Sequence, residues 1–228
     1  MDPIRFSDVH RMLDQMLGSM DGDEPAARRR RRIVEVASEL FLRHGYRRAS
    51  VDQIAERAGI AKGTVYLYFK NKADILVSAI AVEKRRYLHA IQPILDGSHP
   101  ARERLRLYLR RAIKLLGEMP LTSKLLTGDR EIRAVLADLD ADARASYEKM
   151  QLGFLVHLLD PAAAPHRWNE TELEDRARVL LALIYALGSF SDARGRLGLS
   201  IERFSQLLAD IIVDGIAAPA VSNPEAVP

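Results

Sequence analysis

Gly59 divides two short helical patterns, and that division limits the fold more than any other feature of the chain. Upstream, Ser50 and Gln53 stand in the Ser-x-x-Gln arrangement of a capping box. In such a box the serine hydroxyl accepts from the amide three residues on, and the glutamine side chain reaches back to the serine amide. Val51, Ile54, Ala55 and Ala58 follow at spacings of three and four, which places them on one buried face. Gly59 supplies the left-handed backbone that ends a helix, and Ile60 folds back onto the core. A second helix is predicted to start near Lys62-Gly63-Thr64, with Val65 and Phe69 four apart and facing inward. Lys62, Thr64, Tyr66 and Tyr68 then face outward.

Helix, glycine turn and helix form the layout of a helix-turn-helix, whose second helix enters the major groove of DNA. Two outward tyrosines beside lysines suit such a surface. A tyrosine ring packs on a thymine methyl, and its hydroxyl bonds a phosphate oxygen. Gly63 lets backbone approach the duplex closely. Lys70 and Lys72 lie where phosphates would sit, and Lys72 opens the next helix. Upstream, Ile33, Val36, Ala37, Leu40 and Phe41 recur at helical spacing and predict an amphipathic helix ending near His44-Gly45. With the two short helices it makes a three-helix unit.

The charge is concentrated on this unit. Residues 28–72 hold twelve Lys or Arg against four Asp or Glu, a balance of +8. Residues 1–27 hold two against six, and residues 73–228 hold twenty against twenty-one, so the whole chain carries +3. One small region therefore has the positive field that phosphate binding needs.

From about residue 30 to residue 84 the chain resembles the TetR family of bacterial transcriptional repressors. The resemblance rests on Phe41-x-x-x-Gly45-Tyr46 and on Ser50-Val51-x-x-Ile54-Ala55-x-x-Ala58-Gly59-Ile60. It continues through Lys62-Gly63-Thr64-Val65-Tyr66-x-Tyr68-Phe69-x-Asn71-Lys72 to Leu76. It implies an all-α homodimer with an N-terminal helix-turn-helix domain and a larger C-terminal helical domain for ligand binding and dimerisation. It also implies Ser50, Thr64, Tyr68 and Lys72 as phosphate contacts, and Lys62, Gly63 and Tyr66 as base-edge contacts.

The rest of the chain is organised around these expectations. Residues 1–27 form an acidic extension, read as a flexible, solvated tail, although residues 7–20 have the pattern of a short amphipathic helix. Residues 28–75 are the DNA-binding domain, residues 76–218 the effector and dimerisation domain, and residues 219–228 a disordered tail. Arg28 to Arg32 are five consecutive arginines, read either as a solvated helix start or as a basic arm on flanking phosphates. A helix from Lys72 is expected to stop before Pro93, and a long one from about residue 129 to stop before Pro161. Asn169 and Ser200 are expected to cap the last two helices, whose apolar and small residues, among them Ala182, Ala186, Gly188 and Ser189, make them a candidate dimer interface, the alternative being the monomer's own core.

Tyr147, Met150, Gln151, Phe154 and His157 recur along the long helix, with Tyr108 and Trp168 on neighbouring elements. A mostly apolar pocket with a few polar groups takes a small organic effector. The overall expectation is a sequence-specific regulator, a repressor released from a palindromic operator by a small molecule. A ligand-blind regulator or an architectural DNA-binding protein is the alternative. No catalytic motif is present: there is no His-Glu-x-x-His and no Gly-x-Ser-x-Gly, and Gly59 to Thr64 lacks phosphate-loop spacing. The chain has no cysteine, its six histidines suggest no metal spacing, and no cofactor is expected. No secretory signal or membrane span is legible, so a cytoplasmic location is expected.

Overall fold

Capping residues and glycines divide the chain into helices whose apolar stripes meet in one core. A computed structural model describes residues 11, 13–15, 17, 20–137, 141–162, 168–186 and 195–217, without the side chains of residues 136, 141–148, 150, 185, 216 and 217. Among the described residues there are helices and connections but no strand. The N-terminal unit is α1 (Pro25–His44), α2 (Val51–Ala58) and α3 (Lys62–Tyr68), followed by the long α4 (Lys72–Leu95). The larger unit continues with α5 (Ala101–Leu116), α6 (Pro120–Leu126), α7 (Arg130–Ala137), α8 (Ala141–Ala162), α9 (Glu170–Ala186) and α10 (Ile201–Ala217).

The predicted core stripe of α1 is fully buried at Ile33, Val36, Ala37, Leu40 and Phe41. It packs against α2 and α4, so the recognition unit and the long connecting helix share one core. In the larger unit α5 lies between α4, α8 and α10. Arg106 fixes the α5–α10 register, with its guanidinium on Asp210 at 2.8 Å and Asp214 at 3.0 Å. α9 packs on α8. Asn169 and Ser200 cap as expected, accepting from Glu172 N at 2.9 Å and Arg203 N at 3.2 Å.

Three expectations change. The acidic extension is not a free tail over its described residues. Residues 11, 13–15 and 17 are helical, Leu17 is 0% exposed, and Leu13 and Met20 are equally inaccessible. The amphipathic pattern wins because its apolar side chains find a place in the core. Val9, Met12 and Met16, part of the same pattern, lie outside the described residues. Second, α4 runs through Pro93 and α8 through Pro161. Both prolines sit in a last turn, and His89 and His157, whose carbonyls they deprive of an amide, are exposed. Water donates to carbonyls exposed in a last helical turn, so neither proline stops its helix. Third, the long helix expected from residue 129 is divided into α7 and α8, with residues 138–140 between them outside the description. The proposed tail, residues 219–228, lies outside it as well.

Candidate nucleic-acid interface and effector region

The outer face of the N-terminal unit is set by two backbone corners. At the first, Ser50 Oγ accepts from Gln53 N at 3.2 Å, and Gln53 Oε1 accepts from Ser50 N at 3.0 Å. The capping box is complete. The hydroxyl is used here as an acceptor, which leaves its proton to donate outward. At the second corner Gly59 has φ 71°, the left-handed region in which a side chain is strained. Its amide meets the carbonyls of Ala55 and Glu56 near the end of α2, and α3 starts three residues later.

Val65 and Phe69 are buried, which turns Lys62, Gly63, Tyr66 and Leu67 to solvent. Tyr66 is 49% exposed and Leu67 82%. Leu67 is absent from the sequence reading. The signal was there: two residues past Val65 is about 200° around a helix, directly opposite the core. Thr64 is half-buried. Tyr68 is also half-buried and packs against the core, so it is less outward than its spacing from Tyr66 suggests. Lys62 Nζ bonds Asp52 Oδ2 at 2.9 Å, joining the start of α3 to the first turn of α2. That hydrogen bond and the Asp52 charge raise the Lys62 amine above its ordinary value. Both partners are more than half exposed, so the pair is open to exchange with an acceptor on a base edge.

Lys72, expected as a phosphate contact, turns its amine onto the protein's own backbone. Its Nζ donates to the carbonyls of Tyr46 at 2.8 Å, Ala49 at 2.8 Å and Arg47 at 3.4 Å. It also lies 4.3 Å from the centre of the Tyr46 ring. An ammonium has three donors, and here all three face the turn between α1 and α2. Burial lowers its pKa. Lys72 thus holds the backbone that presents Ser50, and it does so from the first residue of α4.

The larger unit reaches the same turn from the other side. Glu131 on α7 accepts from Arg47 N at 2.9 Å. Gly45, at φ 82°, makes room for it, since a Cβ there would lie 3.3 Å from Glu131 Oε2. Higher on α4, Glu83 accepts from Leu121 N at 3.0 Å and Thr122 N at 2.8 Å. It also accepts from Thr122 Oγ1 at 2.7 Å. A side chain from α4 therefore caps the N-terminus of α6.

In the expected effector region, Tyr108 is buried and Phe154 packs edge-on to it at 5.5 Å between ring centres. Tyr87 of α4, which the sequence reading missed, donates its hydroxyl to Tyr108 Oη at 3.0 Å. Gln151 is half-buried. His157 is exposed and does not join the cluster, because it falls on the outer side of α8. Tyr147 and Met150 lie on α8, but their side chains are outside the described residues. Trp168 stacks on the Arg176 guanidinium at 4.2 Å, away from the expected role. No helix among the described residues is long and apolar enough to cross a membrane.

The family model described as bacterial regulatory proteins, tetR family, matches residues 33–79, the span of the capping box, both corners and Lys72. The transcriptional repressor KstR of Rhodococcus jostii is 32% identical over 186 residues, 76% of this chain and 81% of that protein. The fatty acid metabolism regulator protein of Bacillus subtilis is 36% identical over 84 residues, 37% of this chain and 43% of the relative. A solved structure of the Bacillus subtilis regulator FadR in complex with stearoyl-CoA superposes with a TM-score of 0.60 at 22% identity, covering 81% of this chain and 98% of that one.

Proposed function

The chain belongs to the TetR family of bacterial regulatory proteins, and from that premise we propose that it is a repressor whose α3 reads a palindromic operator and whose larger unit responds to a small-molecule effector. One observation carries the reading: a complete Ser50–Gln53 capping box and a left-handed Gly59 present Lys62, Gly63 and Tyr66 on one uncovered face of a basic unit. In this reading Lys62, Gly63 and Tyr66 meet base edges, and Leu67 packs on thymine methyls or sugar. Ser50, Thr64 and Tyr68 meet phosphate. Lys72 acts through the turn it holds and touches no phosphate.

The proposed dimer interface is the outer face of α9 and α10. Val179 on α9 is 61% exposed and Ile211 on α10 is 69% exposed, although both are apolar. Leu183, one turn after Val179 on α9, is exposed as well, with small Ala182 and Ala186 permitting close approach. Helices with apolar side chains on two faces pack on two sides. A two-fold dimer places two recognition helices about one DNA turn apart.

The proposed effector has an apolar body. Tyr108 and Phe154 offer it aromatic surface, and the stearoyl-CoA bound by the FadR of similar fold makes long-chain acyl-CoA the first class to test. α4 then relays the response, since Tyr87, Glu83 and Lys72 tie it to the aromatic cluster, to α6 and to the α1–α2 turn. Such a ligand acts by favouring a state whose recognition helices no longer match the half-site spacing.

The test is selection of bound fragments from random duplex DNA at near-physiological salt, followed by titration of the enriched site with an acyl-CoA series. An enriched palindrome released by acyl-CoA supports the reading. Binding without enrichment turns it toward an architectural protein. Substitution then checks the residues. Tyr66→Ala and Lys62→Ala are each expected to cost about 1–3 kcal/mol on the selected operator while sparing random duplex. Normal operator binding by Tyr66→Ala would remove that residue from the base contacts.

A further inference from the structure

The five arginines and the acidic extension meet, and nothing in the family-matched span, residues 33–79, accounts for either. Arg31 donates to the carbonyls of Met20 and Gly22, the latter at 2.8 Å, and Arg28 donates to the carbonyl of Asp23. Two guanidiniums of the basic run are thereby turned onto the backbone of residues 20–23. The same short loop presents the exposed carboxylates Asp21, Asp23 and Glu24. Its far side is anchored by the buried Leu13, Leu17 and Met20, and by Arg85 of α4, which bonds Asp21 at 2.8 Å and lies 3.8 Å from Asp14.

The helix that carries these arginines also borders the recognition helix. The Arg30 guanidinium lies 4.9 Å from the centre of the Phe69 ring, and Phe69 directly follows α3. The start of α1 is therefore beside the end of the helix assigned to the major groove. A duplex seated on α3 runs its flanking phosphates past this corner, where arginines would otherwise meet them. Cations at a helix N-terminus are unfavourable unless an anion or acceptor is near, and here the loop supplies backbone carbonyls in that role.

We propose that the loop of residues 20–24 is an intramolecular cover on a second duplex-phosphate surface formed by Arg28 and Arg31, and that undocking the cover strengthens sequence-independent DNA binding. The proposal rests on the DNA-binding reading of α3. The loop competes with phosphate in two ways: it occupies guanidinium donors, and it sets negative charge beside the approaching backbone. The apolar anchor keeps the competitor at high effective concentration, so only partners as strong as a duplex displace it. The docked state then favours the operator over bulk DNA, because the base contacts of α3 do not depend on the arginines while non-specific binding does.

The experiment measures affinity for random duplex DNA against salt concentration in three full-length variants beside the parent chain. Asp21→Asn with Asp23→Asn and Glu24→Gln removes the loop charge, including the Asp21 side of the Arg85 ion pair, and keeps the apolar anchor of Leu13, Leu17 and Met20. Leu17→Asp undocks the segment. The third variant adds Arg28→Ala and Arg31→Ala to Leu17→Asp. The charge-neutral chain is expected to bind random duplex several-fold more tightly at low salt. The undocked chain is expected to gain on the order of tenfold, with a salt slope steeper by about 0.9 for each freed arginine. The third variant is expected to return to the parent affinity and slope. Unchanged or weaker binding by the charge-neutral chain overturns the cover, and so does an undocked gain that survives loss of both arginines. If Leu17→Asp fails to fold, the charge-neutral chain alone decides. Absence of duplex binding in every chain would instead sink the DNA-binding reading itself.

Discussion

Lys72→Met is expected to destabilise the DNA-binding unit by about 2–3 kcal/mol, the usual contribution of hydrogen bonds to a charged donor in a partly buried site. The Met side chain preserves most of the apolar stem but leaves the carbonyls of Tyr46 and Ala49 without their ammonium donor. It also removes the cation from the Tyr46 ring. The turn from Gly45 to Ser50 then loses one of its two external supports, the other being Glu131 on Arg47 N. Operator affinity should fall, because Ser50 and the start of α2 are no longer fixed. The slope of log affinity against log salt should not fall by the 0.9 or so that loss of one phosphate contact produces. Denaturant unfolding and a salt series on the same variant separate the two roles. A stable variant with a reduced slope would restore Lys72 to the phosphate contacts.

That outcome bears on what the sequence makes legible. The capping box, the left-handed Gly59 and the Val65–Phe69 spacing are local: each depends on residues within four positions, and each stands in the structure as the spacing requires. The role of Lys72 is not local. Its acceptors are 23 to 26 residues away, and nothing in Asn71-Lys72 tells whether the amine turns to solvent or to the Tyr46 carbonyl. The extension failed for a related reason. Its composition is acidic, which reads as solvated, but the burial of Leu13 and Leu17 is decided by whether the rest of the chain offers them a place. The effector region divides the same way. Tyr108 and Phe154 meet, while His157, three residues after Phe154, lies on the exposed side. The missing partner, Tyr87, is on another helix.

Glu83→Ala is expected to destabilise the protein by about 2–4 kcal/mol, since it orphans three donors at the start of α6, each of which costs roughly 1–3 kcal/mol when left unsatisfied in a buried setting. Thr122 is buried, and Leu121 beside it belongs to the core, so water does not replace the carboxylate freely. Glu83→Gln retains one amide oxygen as acceptor and should lose less. The pH dependence distinguishes the cap from simple packing. Burial pushes the Glu83 carboxyl above the ordinary carboxylate value, and the Thr122 and Leu121 bonds oppose it only in part. A raised folded-state pKa makes the protonated form the stabilising one, so stability is fullest below the unfolded pKa and declines as pH rises through the folded one. The parent chain should therefore lose stability relative to Glu83→Gln as pH climbs out of the ordinary carboxylate range. Lys84 acts with the opposite sign further up: burial lowers its ammonium to about 7, so its contribution grows from there toward the ordinary lysine value. Melts of the parent and Glu83→Gln in matched buffers are compared below the Lys84 transition near 7, because the Glu83 charge raises the Lys84 ammonium and its contribution does not cancel above that. If the two chains instead differ by a constant amount at every pH, the Glu83 carboxyl titrates alike in the folded and unfolded chains, and its burial is fully offset by the bonds from Leu121 and Thr122.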